Sequence, residues 1–218
     1  MKKYAILIAF LLVVLASTGC KSKVQKAEKL IKTELSKTLY DFDSYKPIET
    51  TVVKTNVNAF NDSACWNKAS VLAYAFSKLD EYIEDAEEAK SHMEIWGRPT
   101  YYSSTYSDNR WYQYREEFNE SVANINITIA TINIIANELK DLIAKLDTTQ
   151  LAGWEVQHSF RCNTRGGHPE IGHFRYVISK DLKTIILEED TESKEDKKTR
   201  ELLENVLNGW TDLEPIEL

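Results

Sequence analysis

Apolar positions along the chain change period several times, and each period implies an element. Residues 23–40, KVQKAEKLIKTELSKTLY, carry Ala27, Leu30, Ile31, Leu35 and Leu39 at helical spacing and read as an amphipathic helix. DFDSYKP (41–47) has turn chemistry, whereas IETTVVKTNVNAF (48–60) is rich in β-branched residues and reads as a strand. Asp62 and Ser63 then offer an N-cap to a long helix over about 62–95, with apolar residues at 69, 72, 76, 79, 83 and 86. A second helix over about 108–147 repeats them at 111, 118, 122, 125, 129, 132, 136, 139, 143 and 146. Both rows step by threes and fours, and the loop GRPTYYSSTYS (97–107) joins them. An antiparallel hairpin follows, with Leu72, Phe76, Leu79 and Ile83 facing Ile125, Ile129, Ile132 and Ala136. Ile127 and Ile134 fall off that row, so the middle of the second helix is expected to bury a further face against the sheet.

Beyond Leu151 the period drops to two. GWEVQHSFRCN (153–163), IGHFRYVIS (171–179) and KTIILEE (183–189) read as three strands, and TESKEDKKTRELLENVLNG (191–209) as a closing helix that stops at Gly209. Alternation puts Trp154, Val156, His158, Phe160 and Cys162 on one face of the first of these strands, and Gly172, Phe174, Tyr176 and Ile178 on the matching face of the next. Pairing Phe160 with Phe174 satisfies both strands and leaves 164–170 as a hairpin loop. The expected fold class is α+β: an antiparallel sheet of about four strands packed by amino- and carboxy-terminal helices. The long helical hairpin, about 62–147, is inserted after the first strand of a single domain spanning 20–218.

The first nineteen residues stand apart. A basic start at Lys2 and Lys3, an apolar run from Ala5 to Ala16 and small residues ending at Cys20 have the form of a secretory signal peptide, and the apolar run is too short to span a bilayer. STGC resembles a bacterial lipobox, with Ser17 where leucine is usual. That resemblance implies cleavage before Cys20 and attachment to a membrane through its lipidated thiol and amino group. Loss of Lys2 and Lys3 with the leader takes the formal charge from −7 to −9. An acidic secreted chain argues against a nucleic-acid partner. Cys65 and Cys162, bound for an oxidising compartment, are either one disulfide or two buried thiols.

RCNTRGGHPEIGHF (161–174) gathers a cysteine, two histidines and a Gly-Gly, but the strand pattern makes it a turn. His158 and His173 fall on opposite faces of the sheet and cannot share a metal ion. The Gly-Gly lacks the following helix and lysine of a phosphate loop. No metal ligand set, cofactor motif or catalytic constellation emerges, and a hydrolase using His158 or His173 with a carboxylate is the rival to a non-enzymatic binding module. EYIEDAEEAK (81–90) reads as a solvated acidic helix face or a site for a cation or a basic partner. Aromatic residues in and beside the hairpin loop, among them Tyr101, Tyr102, Tyr106 and Trp111, either cap the helix ends or contact a protein or carbohydrate partner.

YDFDSYKPI after an amino-terminal helix, followed later by GWEVQHSFRCNTRGGHPEIGHFRYVI, resembles small lipoproteins of Bacteroides-type bacteria that have no assigned activity. The resemblance covers roughly 20–58 and 153–189. It implies a compact α+β domain on the outer membrane or in the periplasm, and the basic CKSKVQK after the lipobox favours the periplasmic side. DSA (62–64) resembles the O-glycosylation sequon of such bacteria, which makes Ser63 a candidate for modification as well as for capping.

Overall fold

The computed structural model describes residues 23–216; the leader and Cys20 lie outside that range. Element order is α1 (23–38), β1 (Asp41–Asn56), α2 (Ser63–Trp96), α3 (Thr105–Ala144), β2 (Leu151–Asn163), β3 (Pro169–Ser179), β4 (Ile185–Asp190) and α4 (Lys194–Leu207). The protein is α+β, with four antiparallel strands in one open sheet, ordered β1-β2-β3-β4, and a long helix pair between β1 and β2. The described chain clusters into two compact units, 23–63 with 146–197 and 64–145 with 198–216.

In the first unit α1 covers one sheet face. Its buried row, Ala27, Ile31 and Leu35, meets Val156, Phe160, Tyr176 and Ile178, and these seven form a continuous core. The period-2 reading of β2 and β3 assigned those strand residues to this face. The register is two residues away from the expected one, with Phe160 opposite Gly172 and His158 opposite Phe174. A two-residue slip keeps every side chain on its face, so alternation alone could not distinguish the two registers. Gly172 decides between them: a Cβ there would lie 2.7 Å from the Phe160 ring, so the ring occupies the space that a side chain would fill. Strand pairing therefore runs to Asn163 and Pro169, and the loop shortens to 164–168. Thr164 closes it, donating its N–H to His168 O at 2.8 Å and accepting from Gly167 N–H at 2.9 Å, while Gly167 takes φ +77°.

β1 begins seven residues earlier than expected, at Asp41 rather than Ile48, because the turn chemistry of 41–47 is built into the strand as a bulge. Register shifts fall between Asp41 and Lys46 and between Pro47 and Glu49. Ser44 caps the irregularity by donating to Asp41 O at 2.8 Å and accepting from Asn163 N–H at 2.8 Å. Pro47 is tolerated because β1 is an edge strand. On the face opposite α1, Arg175 reaches Glu189 and Glu155, both at 3.0 Å, and the Phe60 carbonyl at 3.0 Å.

In the second unit α2 and α3 run antiparallel. Lys68 pairs with Glu138 at 2.7 Å at one end, and the rings of His92 and Tyr114 lie 4.4 Å apart at the other. The buried seam is Ala69, Leu72 and Leu79 on α2 with Val122, Ile125, Ile129, Ile132, Ala136 and Leu139 on α3. Leu72, Leu79, Ile125, Ile129, Ile132 and Ala136 are buried as the heptad spacing expected, whereas Phe76 is half-buried with Trp210 packed edge-on to it at 5.9 Å, and Ile83 is exposed. The further buried face expected for α3 is absent at Ile127 and Ile134, which are exposed by 65% and 60%.

If Phe160 over Gly172 sets the hairpin register, Gly172→Ala should cost about 1–3 kcal/mol through overpacking and Phe160→Ala about 3–5 kcal/mol through the cavity left behind. Chemical denaturation of each variant checks this, and an unaffected Gly172→Ala would remove the ring from its role.

Candidate functional site

The seam between α2 and α3 changes character along its length. Leucines at 72 and 79 give way to Ala86 and Ala89, and beside Ala89 the helices leave a cleft of about 510 Å³. Tyr82, Asp85, Glu88 and His92 of α2 line it on one side, and Arg110, Gln113, Tyr114, Glu117, Glu120 and Asn124 of α3 on the other. These positions repeat by threes and fours just beside the seam, which is why both helices turn them toward the same space.

Four carboxylates thus face the cleft with one guanidinium. Arg110 is held by its own helix, donating to Gln113 Oε1 at 3.0 Å and to Tyr114 Oη at 2.8 Å, and it lies 5.8 Å from the Trp96 ring centre. Gln113 in turn donates to Glu117 Oε1 at 2.8 Å, which completes a run of bonds along the α3 wall. Among the described residues none of Asp85, Glu88, Glu117 and Glu120 forms an ion pair within 4.0 Å. The local potential is therefore negative, and two tyrosines and a histidine supply flat apolar surface beside it. A second, apolar hollow of about 230 Å³, lined by Val71, Tyr74, Ala75, Lys78, Tyr82, Thr128, Thr131 and Ile135, shares Tyr82 with the cleft.

The residues singled out from the sequence are dispersed. Tyr101 and Tyr102 project from the loop, exposed by 95% and 93%, with ring centres 5.3 Å apart. Tyr106 is exposed and packs edge-on to Trp96 at 5.5 Å, whereas Trp111 is buried and belongs to the core. None of these four lines the cleft. Ser63 is the exposed first residue of α2. Cys65 is buried and Cys162 half-buried, and both stand as thiols rather than as a disulfide. They fall in different compact units, and burial pushes the Cys162 thiol pKa up, with Glu170 and Asp41 adding to the rise. The cleft residues Tyr82, Asp85 and Glu88 lie within the acidic segment 81–90, whose composition alone suits any solvated helix. The signal that identifies them is their three-four spacing in register with 110, 113, 117, 120 and 124 on the antiparallel partner.

His158 and His173 lie on opposite sheet faces, as the alternation required. His158 is buried, its Nε2 2.9 Å from Tyr45 Oη and its Nδ1 2.9 Å from Thr50 Oγ1. A neutral ring satisfies both hydroxyls, one nitrogen donating and the other accepting, which leaves neither for proton transfer to a substrate. His173 Nδ1 is 2.8 Å from Ser159 Oγ on an exposed part of the sheet. Hydrolysis by either histidine with a carboxylate draws no support from this geometry.

Burial lowers the His158 pKa below its usual 6.5, against a smaller opposing effect of Glu28. A depressed value means that the unfolded chain takes up the proton first as pH falls. The stabilisation contributed by the neutral ring is therefore full above about 6.5 and is lost as pH drops toward the folded value. The melting-temperature gap between the unmodified chain and His158→Gln should narrow below about pH 6.5, and a gap independent of pH would show that the ring is not held neutral.

No protein-family model matches this chain, and neither a curated protein nor a solved structure matches it.

Proposed function

We propose that this chain is a lipid-anchored binding protein of a bacterial cell envelope, held at the membrane through Cys20 on the periplasmic side. Its ligand site is the cleft between α2 and α3, and the ligand is cationic. The observation that carries the reading is the set of four carboxylates, Asp85, Glu88, Glu117 and Glu120, that face one cleft without ion partners among the described residues. Charged groups left unpaired around a concavity favour a ligand that brings the opposite charge, and Tyr82 and Tyr114 add cation–π contact to an amine. Because the carboxylates are solvent-exposed, binding is salt-sensitive and of modest affinity.

The leader and the small residues before Cys20 support the anchoring half of this reading, and among the described residues no helix is long and apolar enough to cross a membrane. A second reading rests on Tyr101 and Tyr102. Two nearly fully exposed tyrosines on a loop suit contact with a protein or carbohydrate partner, since aromatic rings bury large area at little entropic cost.

A small polycation such as spermine should raise the melting temperature by a few degrees once it exceeds its dissociation constant about a hundredfold. Asp85→Asn with Glu117→Gln should weaken its binding about tenfold, as should a rise from 50 to about 500 mM salt. Equal binding by the double variant would place the ligand elsewhere. For the anchor, a clickable fatty-acid analogue fed to the producing bacterium should label the chain and fail to label Cys20→Ala; equal labelling of both would exclude acylation at Cys20.

A further inference from the structure

The residues after α4 run back along α3, antiparallel to it, and the way they are held defines a site. Lys140 Nζ donates to Trp210 O at 3.1 Å. Asn133 donates through Nδ2 to Leu213 O at 2.9 Å and accepts Leu213 N–H on Oδ1 at 2.9 Å. Asn126 does the same with Ile216, donating at 3.1 Å and accepting at 2.8 Å. Contacts on the helix fall every seventh residue, 140, 133 and 126, and those on the segment every third, 210, 213 and 216. The two spacings match physically. Seven helical residues rise about 10.5 Å, and three residues of extended or polyproline-type chain rise about 9–10 Å.

This arrangement reads main chain. Each asparagine offers one donor and one acceptor to the two backbone groups of a single residue, as a neighbouring strand would, so side-chain identity at that residue is left open. The one residue excluded is proline, which has no N–H; Pro215 falls between the two positions that are read. Side chains contribute at the first two of these positions only. Trp210 packs edge-on to Phe76 of α2 at 5.9 Å and Leu213 is half-buried, whereas Thr211, Asp212, Glu214, Pro215 and Ile216 are exposed. The segment is thus attached chiefly by five hydrogen bonds, with Asn137 touching Asp212 at 3.4 Å. It is joined to α4 at Gly209, which takes φ +110° and ends the helix.

We propose that the Lys140, Asn133 and Asn126 row of α3 is a docking site for an extended peptide segment whose backbone is read at residues three apart. Residues 210–216 are its resident occupant, and the same segment of a second copy can take the site in exchange. The seated segment shows the fit, and its exposed side chains and hinge at Gly209 allow it to leave without unwinding α4. An exchange between copies makes the same bonds in the second arrangement as in the first, so attachment strength does not oppose it. The site is independent of the acidic cleft, and loss of either reading leaves the other intact.

A fluorescent peptide with the sequence of residues 209–218, titrated against the full chain by anisotropy, tests the proposal. Against the unmodified chain the resident segment competes and binding is weak. Leu213→Pro with Ile216→Pro removes the two N–H groups from the resident segment only, and the peptide should then bind at least tenfold more tightly. Adding Asn126→Ala and Asn133→Ala should reverse that gain, and a peptide N-methylated at its Leu213 and Ile216 equivalents should not bind. Binding indifferent to N-methylation or to the asparagines would overturn the proposal, as would no gain in the proline variant. Should the proline variant fail to fold, hydrogen exchange on the unmodified chain decides. The Leu213 and Ile216 amides should be protected and excess peptide should change their exchange, whereas unprotected amides would refute the site.

Discussion

The heptad-spaced row of buried apolar side chains that α2 and α3 share fixes what the helical unit can present. Once Leu72, Leu79, Ile125, Ile129, Ile132 and Leu139 are committed to one another, rotation of each helix about its axis is set, and the flanks of the seam are set with it. One flank of α3 carries Asn126, Asn133 and Lys140, which take up the carboxy-terminal segment. The other carries Glu117, Glu120 and Asn124, which face the cleft with Tyr82, Asp85 and His92 of α2. A change of helix phase would move both sites together. The sheet unit obeys the same logic with period two: commitment of Val156, Phe160, Tyr176 and Ile178 to α1 leaves Arg175 and its carboxylates on the opposite face.

How the seam is filled decides where a cavity forms. Branched and leucine side chains pack the middle of the pair, where burial of each is worth about 1.5–3 kcal/mol. Ala86 and Ala89 cannot fill the same width, and there the space between helices is lined by polar groups instead. The cleft is therefore a consequence of residue size within an unchanged heptad. Its charge follows from having acidic residues on both helices at the flanking positions, a pattern that would be repulsive in a closed seam.

Periodicity made most of the architecture legible. The helices, the four strands, their faces and the antiparallel helix pair all follow from the spacing of apolar residues. What escaped had specific causes. The hairpin register shifted by two because such a slip preserves every face; only the fit of the Phe160 ring over Gly172 distinguishes the alternatives, and that fit is a contact between strands rather than a pattern within one. The start of β1 was read as a turn because Asp41 and Ser44 do form turn-like bonds, inside a bulge. Ile127 and Ile134 look like core residues by composition and are exposed. The asparagines that directly precede them, at 126 and 133, read as polar interruptions when their partners lie 90 and 80 residues away in the carboxy-terminal segment. The candidate cleft was half legible. Its acidic segment was visible, but the convergence of 82, 85, 88 and 92 with 110, 113, 117 and 120 depends on the antiparallel alignment that Lys68–Glu138 and His92–Tyr114 record.

The central claim is that the negative cleft on the flank of the helix pair is where a ligand is taken. Amide chemical-shift mapping by solution NMR tests it most directly, because it locates binding without presupposing which side chains matter. With spermine added to the full chain at low salt, the account predicts saturable shifts confined to residues 82–92 and 110–124, with α4 and the sheet unchanged. Shifts that rise without saturation and spread over every acidic surface would contradict it, since they would show that the cation responds to net charge alone and that the cleft has no part in binding.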